Sequence, residues 1–348
     1  MLSLGALASA GPAAAAPREF FGLAPQAPPP TADVQRMGQG KVGTVRVFLN
    51  WAAIERNDDE FNWAAVDRYV GDLAAAGIRP LPFAWGVPQF VNEDSLTMPV
   101  GPANAEAQWQ EFLREAVERY GPGGQYWTSV FPARYPGMQA KPFEVWQVWN
   151  EQNAPKHTHP LSPSTYARLV QISHSAITSR DPNAEILLGG MFGQPTGAGA
   201  FKAWKFLKAV YKTDGVKDSF DAVALHPYSP NLGGIKDQVN RMRKVLKKNK
   251  DKKTGLWVTE IGWGSHGAST SRLVKGLKGQ ARLLKKSFTL LNKKRKKWRI
   301  GGVFWYTWRD LNPVAAPCDW CSSAGLFGQN GFAPKPAWNK YVRLTRGS

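Results

Sequence analysis

Eight short runs rich in valine, isoleucine, phenylalanine and tryptophan recur along this chain, separated by amphipathic stretches. That alternation narrows the fold more than any other feature. The runs fall near residues 18–24, 43–50, 79–85, 143–150, 184–190, 220–227, 255–260 and 300–307. Each is short, and apolar enough for a strand covered on both faces. Between them, apolar residues recur at helical spacing. Val66, Tyr69, Val70 and Leu73 mark 62–77, with Asn62 as a cap, and Trp109, Phe112, Leu113, Ala116 and Tyr120 mark 104–120. Tyr166, Leu169, Val170, Ser173 and Ile177 do the same for 163–179, as do Leu277, Ala281, Leu284, Phe288 and Leu291 for 270–292. Strand and helix alternating in this way predict a single-domain α/β fold, the parallel (β/α)8 TIM barrel, over residues 17–348. The competing doubly wound sheet carries a glycine-rich phosphate loop after its first strand, and none is present. With 43% hydrophobic residues, 15 Trp and 17 Phe, the chain has the material for a large core.

Two of the runs end in a carboxylate: Phe143-Glu-Val-Trp-Gln-Val-Trp-Asn-Glu151 and Gly255-Leu-Trp-Val-Thr-Glu260. A charge midway along a buried strand needs a buried partner. At the carboxyl end it opens instead on the cleft where parallel barrels carry their chemistry. Two glutamates facing each other there predict a general acid/base and a nucleophile. That pairing suits glycosidic bond cleavage, in which one carboxylic acid protonates the leaving oxygen and a carboxylate attacks the anomeric carbon. Glu151 must then stay protonated near working pH, which calls for a dry or acidic neighbourhood. No His/Asp/Glu spacing points to a catalytic metal, and neither metal nor cofactor is expected.

On Trp149-Asn150-Glu151 and the Glu260 run, the chain resembles the clan A glycoside hydrolases, retaining (β/α)8 enzymes that include families 5, 39, 51 and 79. The resemblance extends over nearly all the chain from about residue 18. It implies Glu151 as acid/base, Asn150 as a ligand of the sugar 2-hydroxyl, and Glu260 as nucleophile. Arg46, in Val-Arg-Val-Phe-Leu-Asn-Trp, matches the arginine that supports the nucleophile. His226-Pro-Tyr228 matches the His/Tyr pair beside it. Phe304-Trp-Tyr-Thr-Trp308 is similar to the aromatic platform under the sugar, with Trp308 or Trp305 as the platform ring. Asn62-Trp-Ala-Ala-Val-Asp-Arg-Tyr-Val and Lys335-Pro-Ala-Trp-Asn-Lys-Tyr look most like family 39, although Gln152 stands where that family often has proline. The substrate implied is an oligo- or polysaccharide, with β-linkages favoured. An α-arabinofuranosidase on the same scaffold and a non-catalytic carbohydrate-binding barrel are the alternatives.

The formal charge is +19, with basic runs at 241–253 and 293–299. Such charge attracts polyanions without choosing among them. These runs fall where helices return toward the next strand, so they predict a basic face turned away from the site, either simply a solvated surface or a docking place for an acidic glycan or cell-surface polymer. Nucleic acid is not the expected partner. The two cysteines, Cys318 and Cys321, are too few for a zinc site and predict a local disulfide shaping the loop after the eighth strand. Residues 1–16, rich in Ala and Leu, resemble part of a secretory signal, and no later stretch is apolar enough to span a bilayer. The expected location is therefore secreted or in the cell envelope. The segment 121–142, rich in Gly, Pro and Tyr, is expected to be a loop forming a wall of the cleft.

Overall fold

In the computed structural model, which describes residues 16–268 and 270–347, the eight apolar runs form parallel strands that close into a barrel in chain order. They are β1 (Phe21–Leu23), β2 (Thr44–Asn50), β3 (Arg79–Trp85), β4 (Val145–Asn150), β5 (Glu185–Phe192), β6 (Ala222–His226), β7 (Gly255–Ile261) and β8 (Ile300–Trp305). Closure comes from β1 against β8, with Gly22 opposite Phe304. The helices, in chain order, are α1 (Thr31–Gln39), α2 (Trp51–Ile54), α3 (Ala64–Ala75), α4 (Ala103–Tyr120), α5 (Phe131–Arg134) and α6 (Pro163–Thr178). They continue with α7 (Ala203–Val210), α8 (Leu232–Lys248), α9 (Gly276–Lys293), α10 (Arg295–Trp298) and α11 (Pro336–Arg346). The proposed leader lies, apart from Ala16, outside the described residues. No helix among the described residues is long and apolar enough to cross a membrane.

Two layers of apolar side chains account for the architecture. Inward-pointing strand residues, including Leu81, Val145, Leu187, Ala224, Trp257 and Phe304, fill the barrel itself. Outward-pointing ones meet the buried faces of the helices, such as Trp109, Phe112, Leu113 and Ala116 of α4. The ring of Phe304 lies where a β-carbon on Gly22 would stand, so glycine at the closing strand pair makes room for this interior ring. The parallel register places all eight carboxyl ends at one mouth, and the strand-to-helix loops there build the site.

Three expectations need correction. The helix predicted over 270–292 begins only at Gly276, and Leu277 in its first turn is 48% exposed rather than part of the buried stripe. Helix α3 begins at Ala64 with Trp63 as its cap residue, while the Asn62 side chain accepts a hydrogen bond from Ala64 N at 3.2 Å. The segment 121–142 is no wall of the cleft. It links a helix to the following strand and so lies at the opposite end of the barrel. It also carries a π-helical turn, Tyr126–Val130, and α5. Its aromatic rings face inward: the Tyr126 hydroxyl donates to Asp67 O at 2.6 Å and Trp127 Nε1 to Tyr120 O at 2.8 Å.

Because Phe304 is fully buried at the centre of the barrel, Phe304→Ala should destabilise the protein by about 3–5 kcal/mol in denaturant unfolding, through lost burial plus a cavity. A loss below about 1 kcal/mol would contradict this packing.

Candidate active site

Strands β2, β4, β6 and β7 carry the predicted residues to one place. Arg46, Asn150, Glu151, Tyr228 and Glu260 line a cavity of about 430 Å³ at the carboxyl ends of the strands, and His226 is fully buried beneath them. Arg46 is the hub. Its guanidinium donates to Glu260 Oε1, to Asn150 Oδ1 at 2.8 Å and to Gln147 Oε1 at 3.2 Å. The ring of Phe83 lies 4.1 Å from its guanidinium carbon. Tyr228 donates its hydroxyl to Glu260 Oε2 at 2.7 Å. Burial, reinforced by the Glu260 charge, raises the Tyr228 phenol well above its ordinary value and keeps it a donor.

Glu151 is held differently. His226 Nδ1 lies 2.8 Å from its Oε1, and His157 Nε2 lies 2.9 Å from its Oε2. The Thr259 hydroxyl is 3.0 Å from His226 Nε2; by donating there it leaves the ring proton on Nδ1, facing the carboxylate. On β5, Gly190 lies so close to His226 that a β-carbon would overlap its Nε2. Burial pushes the Glu151 carboxyl up, but the hydrogen bonds from His157 and His226 outweigh it and hold the group below the usual carboxylate range. Burial pulls the His157 imidazole down, and its bond to Glu151 more than reverses this, so it is raised. The neighbourhood expected to keep Glu151 protonated is therefore absent. Instead, the carboxylate is ionised beside a histidine that holds the proton.

His157 escaped the sequence reading because it sits in the loop after β4, where no periodicity applies. That loop is pinned by Asn153, whose side-chain amide donates at 2.7 Å to both Phe192 O and Phe201 O and accepts from Phe192 N at 2.9 Å. The backbone at the end of β4 is also unusual. Trp149 and Glu151 have φ of 69° and 47°, left-handed values that side chains other than glycine rarely adopt. Packing of the fully buried Trp149 indole against Trp109, with ring centroids 6.1 Å apart, helps to hold them.

The aromatic platform requires a correction. Trp308 is buried away from the cavity, against Phe327 and Trp338 at centroid distances of 4.5 and 5.2 Å. Trp305 is equally buried, its Nε1 donating to Ala324 O at 3.0 Å. Tyr306, between them in sequence, and Trp320, 4.9 Å from Tyr228 and 6.1 Å from Tyr306, line the cavity instead, together with Phe48, Phe83, Trp85 and Phe192. Trp320 lies inside the ring closed by a disulfide between Cys318 and Cys321, whose Cα atoms are 5.1 Å apart. The pair thus forms the predicted rim of the site.

One oxygen of Glu151, one of Glu260 and a ring nitrogen of His226 lie within 4.8 Å of one another. Such a trio could ligate a cation, but the Arg46 guanidinium against Glu260 puts positive charge at that point. The proximity instead suits two carboxylates acting on one bond. The profile of the family described as "glycosyl hydrolase catalytic core" matches residues 123–335. The chain belongs to that family. Solved structures agree on the fold. A family 39 glycoside hydrolase from Bacteroides cellulosilyticus WH2 is 20% identical with a TM-score of 0.66, covering 94% of this chain and 63% of its own. A monomeric β-xylosidase from Caulobacter crescentus is 17% identical with a TM-score of 0.67, covering 93% and 67%. Xylanase 10B from Thermotoga maritima is 13% identical with a TM-score of 0.64, covering 95% and 96%. The chain thus spans less than two thirds of the first of these relatives. No curated protein sequence matches it.

The raised imidazole makes a pH-dependent contribution to stability. Its stabilising effect is fully present below the unfolded value of about 6.5 and is lost as pH rises through the higher folded value. His157→Gln should therefore lower unfolding free energy at mildly acidic pH, with the gap to wild type closing in alkaline buffer. A gap independent of pH would rule out the ion pair.

Proposed function

We propose that the chain is a retaining glycoside hydrolase acting on a β-linked oligo- or polysaccharide, with Glu260 as nucleophile and Glu151 as acid/base. The observation that carries this is the approach of the two carboxylates, with oxygens inside 4.8 Å. Retaining pairs sit about 5–5.5 Å apart, and inverting pairs leave a water's width, about 6.5–9.5 Å. The names of the β-xylosidase and xylanase relatives favour a pentose-containing substrate within that class.

In this mechanism Arg46 and Tyr228 fix both oxygens of Glu260 and orient it for attack on the anomeric carbon. As the bond to the leaving oxygen breaks, a proton must arrive from Glu151. Glu151 and His157 share that proton across their 2.9 Å contact. When a sugar displaces water from the cavity, burial favours the neutral carboxylic acid over the ion pair, and the proton moves to Glu151. Glycosylation of Glu260 forms the covalent intermediate. Glu151, now a carboxylate, takes a proton from the incoming water, which attacks the anomeric carbon and releases Glu260. Asn150 Oδ1 accepts from Arg46, which turns the amide nitrogen toward a sugar hydroxyl. Tyr306 and Trp320 supply ring faces for the sugar.

Glu260→Ala should cut turnover of an activated aryl β-glycoside by at least about a thousandfold, with azide rescuing it as the glycosyl azide of inverted configuration. Glu151→Ala should slow it by roughly 10²–10⁴-fold where the leaving group is poor, and azide should then give the retained product. Near wild-type rates in both variants would overturn the assignment.

His157 has a separate signature. The pair gives up its shared proton at the raised imidazole value, so the alkaline limb of kcat/KM lies above about 6.5 in wild type. His157→Gln leaves only the carboxyl to hold the proton, and the limb should move to lower pH. An unmoved limb would exclude His157 from the proton's path.

A further inference from the structure

Nearly all of the chain's net charge comes from one fifth of its length. Residues 232–299 hold 21 Lys and Arg against three acids, Asp237, Asp251 and Glu260, which is +18 of the total +19. The rest of the chain is close to neutral. In the fold this segment is α8, β7, α9, α10 and their connections, so the charge forms one continuous side of the barrel. Lys244, Lys247, Lys248, Lys285, Lys286 and Lys297 all stand exposed on it. None of the 21 lines the cavity that holds Glu151 and Glu260, whereas Lys253 and Arg299 border a concavity at the opposite mouth of the barrel.

The arrangement works against the helices that carry it. Lys244 and Lys248, Arg243 and Lys247, Lys278 and Arg282, and Arg282 and Lys286 are four residues apart, a spacing at which like charges repel. Arg241 pairs with Asp237, but the segment supplies few acids to relieve the others. A bound polyanion would relieve the repulsion.

We propose that this side is a docking surface for an acidic polysaccharide, separate from the catalytic cavity. The composition of the face selects the partner's chemistry. Of its 21 cations 15 are Lys, mobile point charges that can follow carboxylates spaced along a flexible polymer without the fixed fork geometry of Arg. Its own aromatic residues Trp257, Trp263, Phe288 and Trp298 are buried, and the half-buried Trp204 of the neighbouring α7 is covered by Arg241, 4.9 Å from its ring, which leaves the face poor in rings on which single-stranded bases could stack. Leu277 is the one large apolar side chain exposed on the face among the described residues, too little to enter a bilayer. The choice of a saccharide polymer rests on the glycosidase reading; the polyanion surface itself does not.

The test is binding of the full chain to immobilised polygalacturonate, with dextran as the neutral control, in about 50 mM and about 500 mM salt, which spans strong to weak screening. Wild type should bind polygalacturonate and not dextran, and should release it at the higher salt. The variant with Lys244, Lys247, Lys248, Lys285 and Lys286 changed to Gln should bind at least about tenfold more weakly. The same five positions changed to Arg should restore binding. Polygalacturonate should also raise the melting temperature of wild type more than that of the Gln variant. Hydrolysis of a small neutral aryl glycoside should stay within about twofold in the Gln variant, under roughly 0.4 kcal/mol. Equal binding by wild type and the Gln variant would overturn the proposal. So would displacement by duplex DNA at a lower charge concentration than free polygalacturonate requires, which would make the partner a nucleic acid. Binding with no glycosidase activity on any substrate would support the surface and count only against the catalytic reading.

Discussion

The site depends on one buried guanidinium. Arg46 rises from β2 and reaches Glu260 on β7 and Gln147 and Asn150 on β4, so a single side chain spans the barrel's mouth and fixes the relative positions of three strand ends. A cation this buried is tolerable only when every face of it is met, here by a carboxylate, two amide oxygens and the ring of Phe83. Removing any partner would leave charge stranded. The barrel's closure and the geometry of its cavity are therefore not independent, because the interaction that orients Glu260 also ties β2 to β4 and β7 across the mouth.

The two glutamates occupy opposite electrostatic settings although both lie within reach of His226. Glu260 is matched by a permanent cation and a phenol that burial keeps protonated. Glu151 is matched by two histidines, of which His157 has its imidazole raised by the contact with that carboxylate. One carboxylate is thus held by a cation and a phenol while the other faces imidazoles, an asymmetry that lets two neighbouring carboxyl groups behave differently.

Most of the frame was legible because strands covered on both faces announce themselves as apolar runs. The predicted spans for β2 to β8 differ from the observed ones by only a few residues at either end, with β5 running on to Phe192. What failed was phase rather than period. In Phe304-Trp-Tyr-Thr-Trp308 aromatic residues crowd both faces, so nothing in the run says which ring turns inward, and the structure puts Tyr306 in the cavity and both tryptophans in the core. His157 was invisible for another reason: its place depends on Asn153 bonding to residues far along the chain, contacts that leave no local pattern. The 121–142 segment was read as a loop, yet Tyr126–Val130 and Phe131–Arg134 are helical, and composition cannot say at which end of a barrel a connection lies.

The left-handed backbone at Trp149 and Glu151 has a consequence for how such a chain can change over time. Glycine would adopt those angles without penalty, whereas other residues hold them at a cost of order 1–3 kcal/mol each. Drift under selection for stability alone would therefore favour losing the side chain at position 151. A glutamate at position 151 therefore carries a stability cost that glycine would not, and the tryptophans packed around Trp149 help to offset it.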